Sequence, residues 1–306
     1  MTQTLEAAAD EQADRTGPPN PAPRVRRWAR LEFDNWALLL LPLLGFLTLV
    51  FVIPLLLLLS KSFTDPAVGL ANYSDILTNP LYLKVLRNTF VTAITVTLVT
   101  VVIAFPFAYL MTLATPFWRG VMMIAVLIPF WTSLLVRSFA LVLLLRDTGV
   151  INTVLDSVGV IDEPIPMLRH LSGVMFGMVQ ITLPFAVLPL YATMRTIDRR
   201  LLLAAESLGA RPSVAFWKVF VPLTIPGVFA GLILVFIQAL GYYITPALLG
   251  GPQNTMIGQL IVEQVSTVLK FGFAAALAVV LLGSTLILLA IASRFVDMKK
   301  YLMGSK

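Results

Sequence analysis

Residues 196–227 read TIDRRLLLAAESLGARPSVAFWKVFVPLTIPG, a polar, charged and helix-forming interruption in an otherwise strongly apolar chain. Asp198 is suited to cap a helix, because its carboxylate can accept hydrogen bonds from the first free amides. Gly209 stands where a C′ glycine ends a helix in a left-handed turn, and Pro212 stands at the first position of a second helix. The stretch therefore predicts two short helices joined at a fixed angle between hydrophobic segments.

Both predicted helices have an apolar face. In the first helix the apolar residues recur at i, i+3, i+4 and i+7, which gives a stripe of Leu201, Ala204, Ala205 and Leu208. The second helix has Phe216, Val219 and Phe220 on one side, and Val221-Pro222 then leads back into hydrophobic sequence. A plain connecting hairpin with ordinary helix punctuation is the simpler interpretation of the same residues.

The composition is that of a membrane protein. Of the 306 residues 58% are hydrophobic and only 12% are charged, too few for the surface of a soluble domain of this size. The chain has no cysteine and a single histidine, His170, which excludes disulfides, thiolate metal sites and histidine clusters. It also has no nucleotide-binding glycine-lysine loop and no paired carboxylates in a predicted pocket. We therefore expect a membrane protein that is not an enzyme and binds no cofactor itself.

Six apolar stretches predict an all-α polytopic membrane protein with six transmembrane helices. They cover residues 36–59, 89–112, 121–145, 171–194, 222–245 and 271–293. The predicted organisation is a disordered N-terminal tail (1–35), a membrane domain (36–295) and a C-terminal tail (296–306). Fifteen of the 22 Lys and Arg residues fall in the two ends of the chain and in segments 113–120 and 195–220. The positive-inside rule therefore places both termini and the 195–220 segment in the cytoplasm of a multi-pass membrane protein.

The polar stretch resembles the Glu-Ala-Ala loop of type I ABC importer permeases, through Ala204-Ala205, Gly209 and Val221-Pro222-Leu223. One departure is that Leu203 stands in place of the family's glutamate. The resemblance implies that residues 196–221, called the coupling loop below, dock in a cleft of a separate ATPase subunit. The contacts implied are Leu203, Ala204, Ala205, Leu208, Gly209, Ala210 and Phe216.

Further segments resemble the spermidine/putrescine group of these permeases. They are PFWTSLLVRSFA (129–140), GVIN (149–152), LPFAVLPLY (183–191), LGYYITPALLGG (240–251) and MIGQLI (256–261). A departure is Tyr242, where the polyamine branch often carries an acidic residue. The resemblance implies a bacterial inner-membrane importer of a polyamine or related solute. It also implies an ATPase dimer that holds ATP and magnesium, a second permease (identical or different) and an extracytoplasmic solute-binding protein.

Several polar and aromatic residues in or beside the spans are candidates for the substrate pathway: Trp131, Arg137, Gln180, Gln238, Tyr242 and Tyr243. The alternative for Arg137 is that it snorkels to the outer interface. The two glutamines are expected to link helices by hydrogen bonds rather than to contact ligand. The aromatic rings can stack on a cation, although interfacial anchoring is the more common role of such residues.

Two other functional classes are compatible with six spans. An ion-coupled secondary transporter requires acidic residues within the membrane, whereas all sixteen Asp and Glu residues here lie in predicted loops or tails. The other alternative is a membrane scaffold without transport activity.

Overall fold

The computed structural model describes residues 40–295. All regular structure in this range is helical, and we number the helices in chain order. The helices are α1 (Leu41–Thr64), α2 (Ala71–Thr78), α3 (Pro80–Leu113), α4 (Pro116–Trp131), α5 (Leu134–Leu145), α6 (Val150–Ser157), α7 (Leu171–Thr196), α8 (Arg200–Ser207), α9 (Pro212–Gly241), α10 (Ile244–Leu249), α11 (Ile257–Ser266) and α12 (Phe271–Phe295). The predicted tails, 1–35 and 296–306, lie outside the described residues.

Five helices are long and apolar enough to cross a membrane, namely α1, α3, α7, α9 and α12. A sixth candidate is the pair formed by α4 and the helical stretch Leu134–Ser157, which are bent by 104° at the break between them. The predicted all-α polytopic class is therefore confirmed. The count of six holds if the bent pair is one span.

The third span was predicted as one helix over 121–145, and this is wrong, because the chain breaks at Thr132 and Ser133. Both residues are extended, with ψ of 139° and 134°. In a continuous helix the Pro129 carbonyl would accept from the amide four residues later. Here it accepts from the Thr132 hydroxyl at 3.0 Å and from the Arg137 guanidinium at 2.6 Å. Side chains thus satisfy the backbone at the break, as the interior of a membrane requires.

The first two spans extend further into polar sequence than predicted. Helix α1 continues to Thr64 rather than ending at Leu59, and the predicted residues 36–39 lie outside the described range. Helix α3 begins at Pro80 rather than at Thr89. The Asn79 side chain caps it by accepting a hydrogen bond at 3.0 Å from the Leu81 amide. A capping residue followed by proline is a signal for the start of a helix. The prediction placed the start later because the first turns of the helix are polar.

The second helix of the coupling loop is not a separate element, because it runs on into the fifth span as α9. The predicted start of that span near Pro222 is therefore wrong. Pro222 has no amide to donate to the Lys218 carbonyl. The chain accommodates this with a π-helical turn at Phe216–Phe220, after which the Val221 amide donates to the Phe216 carbonyl. One continuous rod therefore joins the loop to the membrane.

Helices α3, α7 and α9 pack on one another and form the core of the described bundle. Small residues bring α7 and α9 close together. A Cβ atom added at Gly227 would lie 2.6 Å from the Thr193 hydroxyl, and one at Gly231 would lie 3.4 Å from the Ala186 Cα. Gly227 and Gly231 are four residues apart, and this spacing of small residues lets the two helix backbones approach closely.

Candidate coupling site and membrane pathway

Helix α8 ends as its sequence predicts, but its N-cap residue is Arg199, which makes no side-chain cap, rather than the predicted Asp198. The Asp198 carboxylate accepts a hydrogen bond at 2.9 Å from the first amide of the helix. At the other end Gly209 is left-handed, with φ of +90°. Its amide donates to the Glu206 carbonyl at 2.9 Å, and the Ala210 amide donates to the Ala205 carbonyl at 3.1 Å. These two bonds are the Schellman pattern, which fixes the direction in which the chain leaves α8.

The predicted apolar stripe of α8 is mostly turned away from the rest of the described chain. Leu201 and Leu208 are 49% and 90% exposed, and Ala204 is also exposed. The residue that packs into the chain's own core is Leu202, while Ala205 is half-buried. The stripe is therefore free to contact another protein and is not needed to hold the loop on this chain.

Aromatic rings anchor the other half of the coupling loop. Tyr109 of α3 packs edge-on against Phe216 and Phe220, with ring centroids 5.2 and 5.1 Å apart. The two phenylalanine rings stack on each other at 5.5 Å. Phe216, a predicted contact for the ATPase, therefore packs within this chain and holds the coupling loop against α3. Leu203, another predicted contact for the ATPase, is 61% exposed.

Arg137 lies at the break in the third span and not in open hydrocarbon. Its Nη1 donates to the Pro129 carbonyl. Burial raises the pKa of the Tyr242 hydroxyl, and the positive charge of Arg137 acts on that pKa in the opposite direction. The Arg137 Nε is buried and has no hydrogen-bond partner among the described residues. The side chain therefore stabilises the break in the span and keeps an unused donor.

The three aromatic candidates lie at helix ends. Trp131 is the last residue of α4 and is 88% exposed. Helix α9 ends at Gly241 rather than at the predicted Thr245, so Tyr242 and Tyr243 connect it to α10. Tyr242 is half-buried and Tyr243 is 40% exposed. The structure thus brings Tyr242 to Arg137, and it records no ring contact between the aromatic candidates within the described chain.

The two glutamines do not link helices as predicted. Gln180 is exposed and Gln238 is half-buried, and neither side chain hydrogen-bonds any residue in the described range. Buried threonines take this role instead. The hydroxyls of Thr100 in α3 and Thr182 in α7 lie 3.1 Å apart.

A second buried threonine contact was also missed by sequence reasoning. The Thr89 hydroxyl accepts a hydrogen bond at 2.8 Å from the Ile257 amide, which joins α3 to the start of α11. A signal for these residues was present in the sequence, because threonines at 89, 92, 97 and 100 share one side of a helix and all are buried. Threonine is a common polar contact between membrane helices.

Comparison with known proteins supports the same fold and family. The family described as "Binding-protein-dependent transport system inner membrane component" matches residues 167–296. The spermidine/putrescine transport system permease protein PotB of Haemophilus influenzae is 34% identical over 246 residues, which cover 77% of this chain and 86% of that protein. PotB of Escherichia coli K12 is 34% identical over 272 residues, covering 85% and 98%.

Among solved structures, a chain of a bacterial alginate ABC transporter, crystallised in complex with an alginate pentasaccharide-bound periplasmic protein, has a TM-score of 0.75. It shares 17% sequence identity and covers 86% of this chain and 95% of its own length, so the likeness shows a common fold. The sequence relatives go further, because they are 34% identical over most of both chains. The protein belongs to the family of binding-protein-dependent transport system inner membrane components and is a permease subunit of an ABC importer.

Proposed function

We propose that this permease lines the pathway of a small organic solute and couples its uptake to a separate ATPase dimer. The observation that carries the proposal is the exposed apolar stripe of α8, which the described chain leaves uncovered beside the rigid turn at Gly209. A second permease, identical or different, would complete the pathway. An extracytoplasmic binding protein would deliver the solute, in line with the periplasmic protein bound in the alginate transporter complex.

In this proposal ATP and magnesium are held by the ATPase subunits and this chain binds no cofactor. Closure of the ATPase dimer would draw the two coupling loops together and turn the pathway from inward-facing to outward-facing. Helix α9 supplies the lever, because its 30 residues run unbroken from Pro212 to Gly241. At 1.5 Å per residue the rod is about 45 Å long, enough to carry a displacement of the loop across the membrane.

The proposed cargo is a polyamine such as spermidine or putrescine, or a related compound, supported by the names of the two PotB relatives. None of the five helices that are long enough to span the membrane carries an Asp or Glu residue, and in the sixth candidate Asp147 and Asp156 lie beyond α5, in the last part of the stretch Leu134–Ser157. Recognition of a cation would therefore depend on the aromatic faces of Trp131, Tyr242 and Tyr243. The same lack of carboxylates disfavours an ion-coupled secondary transporter.

Uptake of radiolabelled spermidine should be measured in proteoliposomes that contain the permeases and ATPase, with the binding protein added on the opposite side to ATP. We expect uptake that requires hydrolysable ATP and survives ionophores. Putrescine and neutral solutes of similar size serve as competitors that define the cargo. Uptake that persists without the ATPase and collapses with the ion gradient would favour the secondary transporter instead.

The proposed orientation has both termini and the coupling loop in the cytoplasm. The chain has no native cysteine, so single cysteines can be introduced without background. In intact cells an impermeant maleimide should label Val160→Cys, at a site 64% exposed in the loop before α7, and should spare Leu208→Cys. Both sites should react once the membrane is opened. Labelling of Leu208→Cys from outside would reverse the topology.

Arg137→Ala is expected to reduce uptake about tenfold or more while leaving expression unchanged. The substitution removes a charged hydrogen bond, of the kind worth about 1.5–3 kcal/mol, at the break in the third span. The control is Arg146→Ala, which removes one positive charge at an exposed position just after α5. Uptake and membrane abundance should be measured together. Normal uptake by Arg137→Ala would restore the explanation that this side chain only snorkels.

A further inference from the structure

The end of the molecule that carries the coupling loop also holds a cavity of about 300 Å³ that the proposed function does not use. It lies between the last turns of α3 and α7, the start of α4 and the coupling loop. Its polar lining consists of three arginines, two tyrosines and one threonine, and no acidic side chain belongs to it. These residues are Arg119, Arg195, Arg199, Tyr109, Tyr191 and Thr112.

Two of the arginines are held in place by the C-terminal end of α3. Arg119 donates from Nε to the Met111 carbonyl at 3.2 Å and from Nη2 to the Ala114 carbonyl at 3.0 Å. Arg199 donates from Nη2 to the Thr112 carbonyl at 2.7 Å. Capping of free carbonyls is a sufficient explanation for these bonds alone. Both guanidinium groups nevertheless keep unused N–H donors, since each has five.

Capping does not account for the third arginine or for the total charge. The Arg195 side chain is exposed and makes no hydrogen bond or ion pair with any residue in the described range. The C-terminus of a helix carries roughly half a negative charge, whereas the cavity gathers three positive charges with no carboxylate in its lining. The charge of the cavity is therefore unbalanced within the described chain, and an anion would balance it.

Exposed aromatic residues beside the cavity indicate that it lies at the depth of lipid headgroups. Phe117 and Trp118, which directly precede Arg119, are 74% and 60% exposed. Trp217 is 67% exposed and packs at 5.4 Å against Phe216, a neighbour of the cavity residue Tyr109. Exposed aromatic residues at the ends of membrane helices mark the interface between hydrocarbon and water.

We propose that this cavity binds the phosphate group of an anionic phospholipid from the adjacent membrane leaflet. Guanidinium groups bind phosphate through paired hydrogen bonds, and Arg195 together with the free donors of Arg199 and Arg119 supplies them. The apolar part of the lining, which includes Met194 and Leu202, would contact the glycerol and the first acyl carbons. The lipid would thereby sit between α3, α7 and the coupling loop.

The test uses the full-length permease in a neutral detergent, with phosphatidylglycerol, phosphatidylcholine or inorganic phosphate added in turn. The thermal unfolding midpoint is followed against ligand concentration, and bound lipid is counted by native mass spectrometry. We expect only phosphatidylglycerol to raise the midpoint, in a saturable way. Its apparent Kd should rise about thirtyfold in Arg195→Gln/Arg199→Gln, since each arginine near an anionic surface contributes about 1 kcal/mol.

The control is Arg200→Gln, an exposed arginine next to the site that does not line the cavity and should leave the Kd unchanged. If the double variant fails to fold, Arg195→Gln alone replaces it; this change breaks no side-chain hydrogen bond in the described chain and should raise the Kd about fivefold. Three results would overturn the proposal. The first is an equal Kd in the wild type and both cavity variants, and the second is a loss of affinity in Arg200→Gln as large as in the cavity variants. The third is stabilisation by inorganic phosphate at the same concentrations, which would indicate a site for free anions.

Discussion

Gly209→Val is expected to reduce uptake to near background while the permease still inserts in the membrane. At φ of +90° a side chain with a Cβ costs about 1–2 kcal/mol, and a branched one adds steric strain. Apart from the two neighbouring residues, no atom of the described residues lies within 4 Å of the added Cβ, so the substitution alters the turn rather than the packing of the spans. The direction of α8 relative to α9 should change, and docking of the ATPase should fail with it.

The chain offers a matched control at Gly159, which ends α6 with the same pattern of hydrogen bonds. Its φ is +74°, and a Cβ there also meets no atom within 4 Å. The Gly159 amide donates to the Asp156 carbonyl and the Val160 amide donates to the Leu155 carbonyl, both at 2.9 Å. Gly159→Val should therefore carry the same strain and leave ATPase association intact.

The measurement is co-purification of the ATPase together with uptake, both made on the same membranes. Two losses count as agreement for Gly209→Val: loss of the ATPase, or retention of the ATPase with loss of solute-stimulated ATP hydrolysis. Full retention of both would mean that the loop is only a connecting turn, as exposed loops usually absorb such changes. Equal loss of the ATPase in Gly159→Val would point to general instability.

Gly227→Val is expected to destabilise the folded bundle by about 3 kcal/mol, near the upper end of the usual cost of overpacking. The first added carbon would lie 2.6 Å from the Thr193 hydroxyl and 3.1 Å from the Pro189 carbonyl, so α7 and α9 would have to separate. Their contact is one of the most extensive between helices in the described chain. Thermal unfolding in detergent and the yield of monodisperse permease report the loss.

Gly283→Val is the matched control, because Gly283 lies within α12 and has open space around its position. Like Gly227→Val, this variant replaces a glycine by valine within a membrane helix. Its unfolding midpoint should stay within a few degrees of the wild type. Equal destabilisation by the two variants would show that helix propensity, and not the approach of α7 to α9, sets the cost.

Local signals made the coupling loop predictable. The left-handed Gly209 and the proline at 212 act within one turn of the chain and occur as expected, and the Asp198 carboxylate accepts from the first amide of α8, one position before the N-cap. The exposure of the stripe on α8 was harder to assign, because its periodicity says that a face is apolar but not which surface covers it. Leu202, one position away from the stripe, makes the contact within the chain.

The features that sequence reasoning missed depend on partners distant in the chain or on unusual turns. The break at Thr132 is stabilised by Arg137, whose side chain returns to a carbonyl eight residues earlier. Continuity of α9 through Pro222 depends on a π-helical turn, which hydropathy does not register. Thr100 and Thr182, which form a hydrogen bond, are 82 residues apart in the chain. The sequence shows that each residue is polar, but it does not show which residue is its partner.

Cross-linking from position 208 tests most directly whether the coupling loop is the contact for the ATPase. Leu208→Cys, at a site 90% exposed on α8, would be labelled with a cleavable photo-crosslinker in inverted membrane vesicles. The control is Val158→Cys, at a site 70% exposed at the end of α6, which would be labelled with the same reagent after the vesicles are opened. We predict an adduct between position 208 and the ATPase subunit, identified by mass spectrometry, with a yield that changes between ATP-free and ATP-trapped states. An adduct from position 158 to the ATPase, or none from position 208 while uptake is intact, would contradict the assignment.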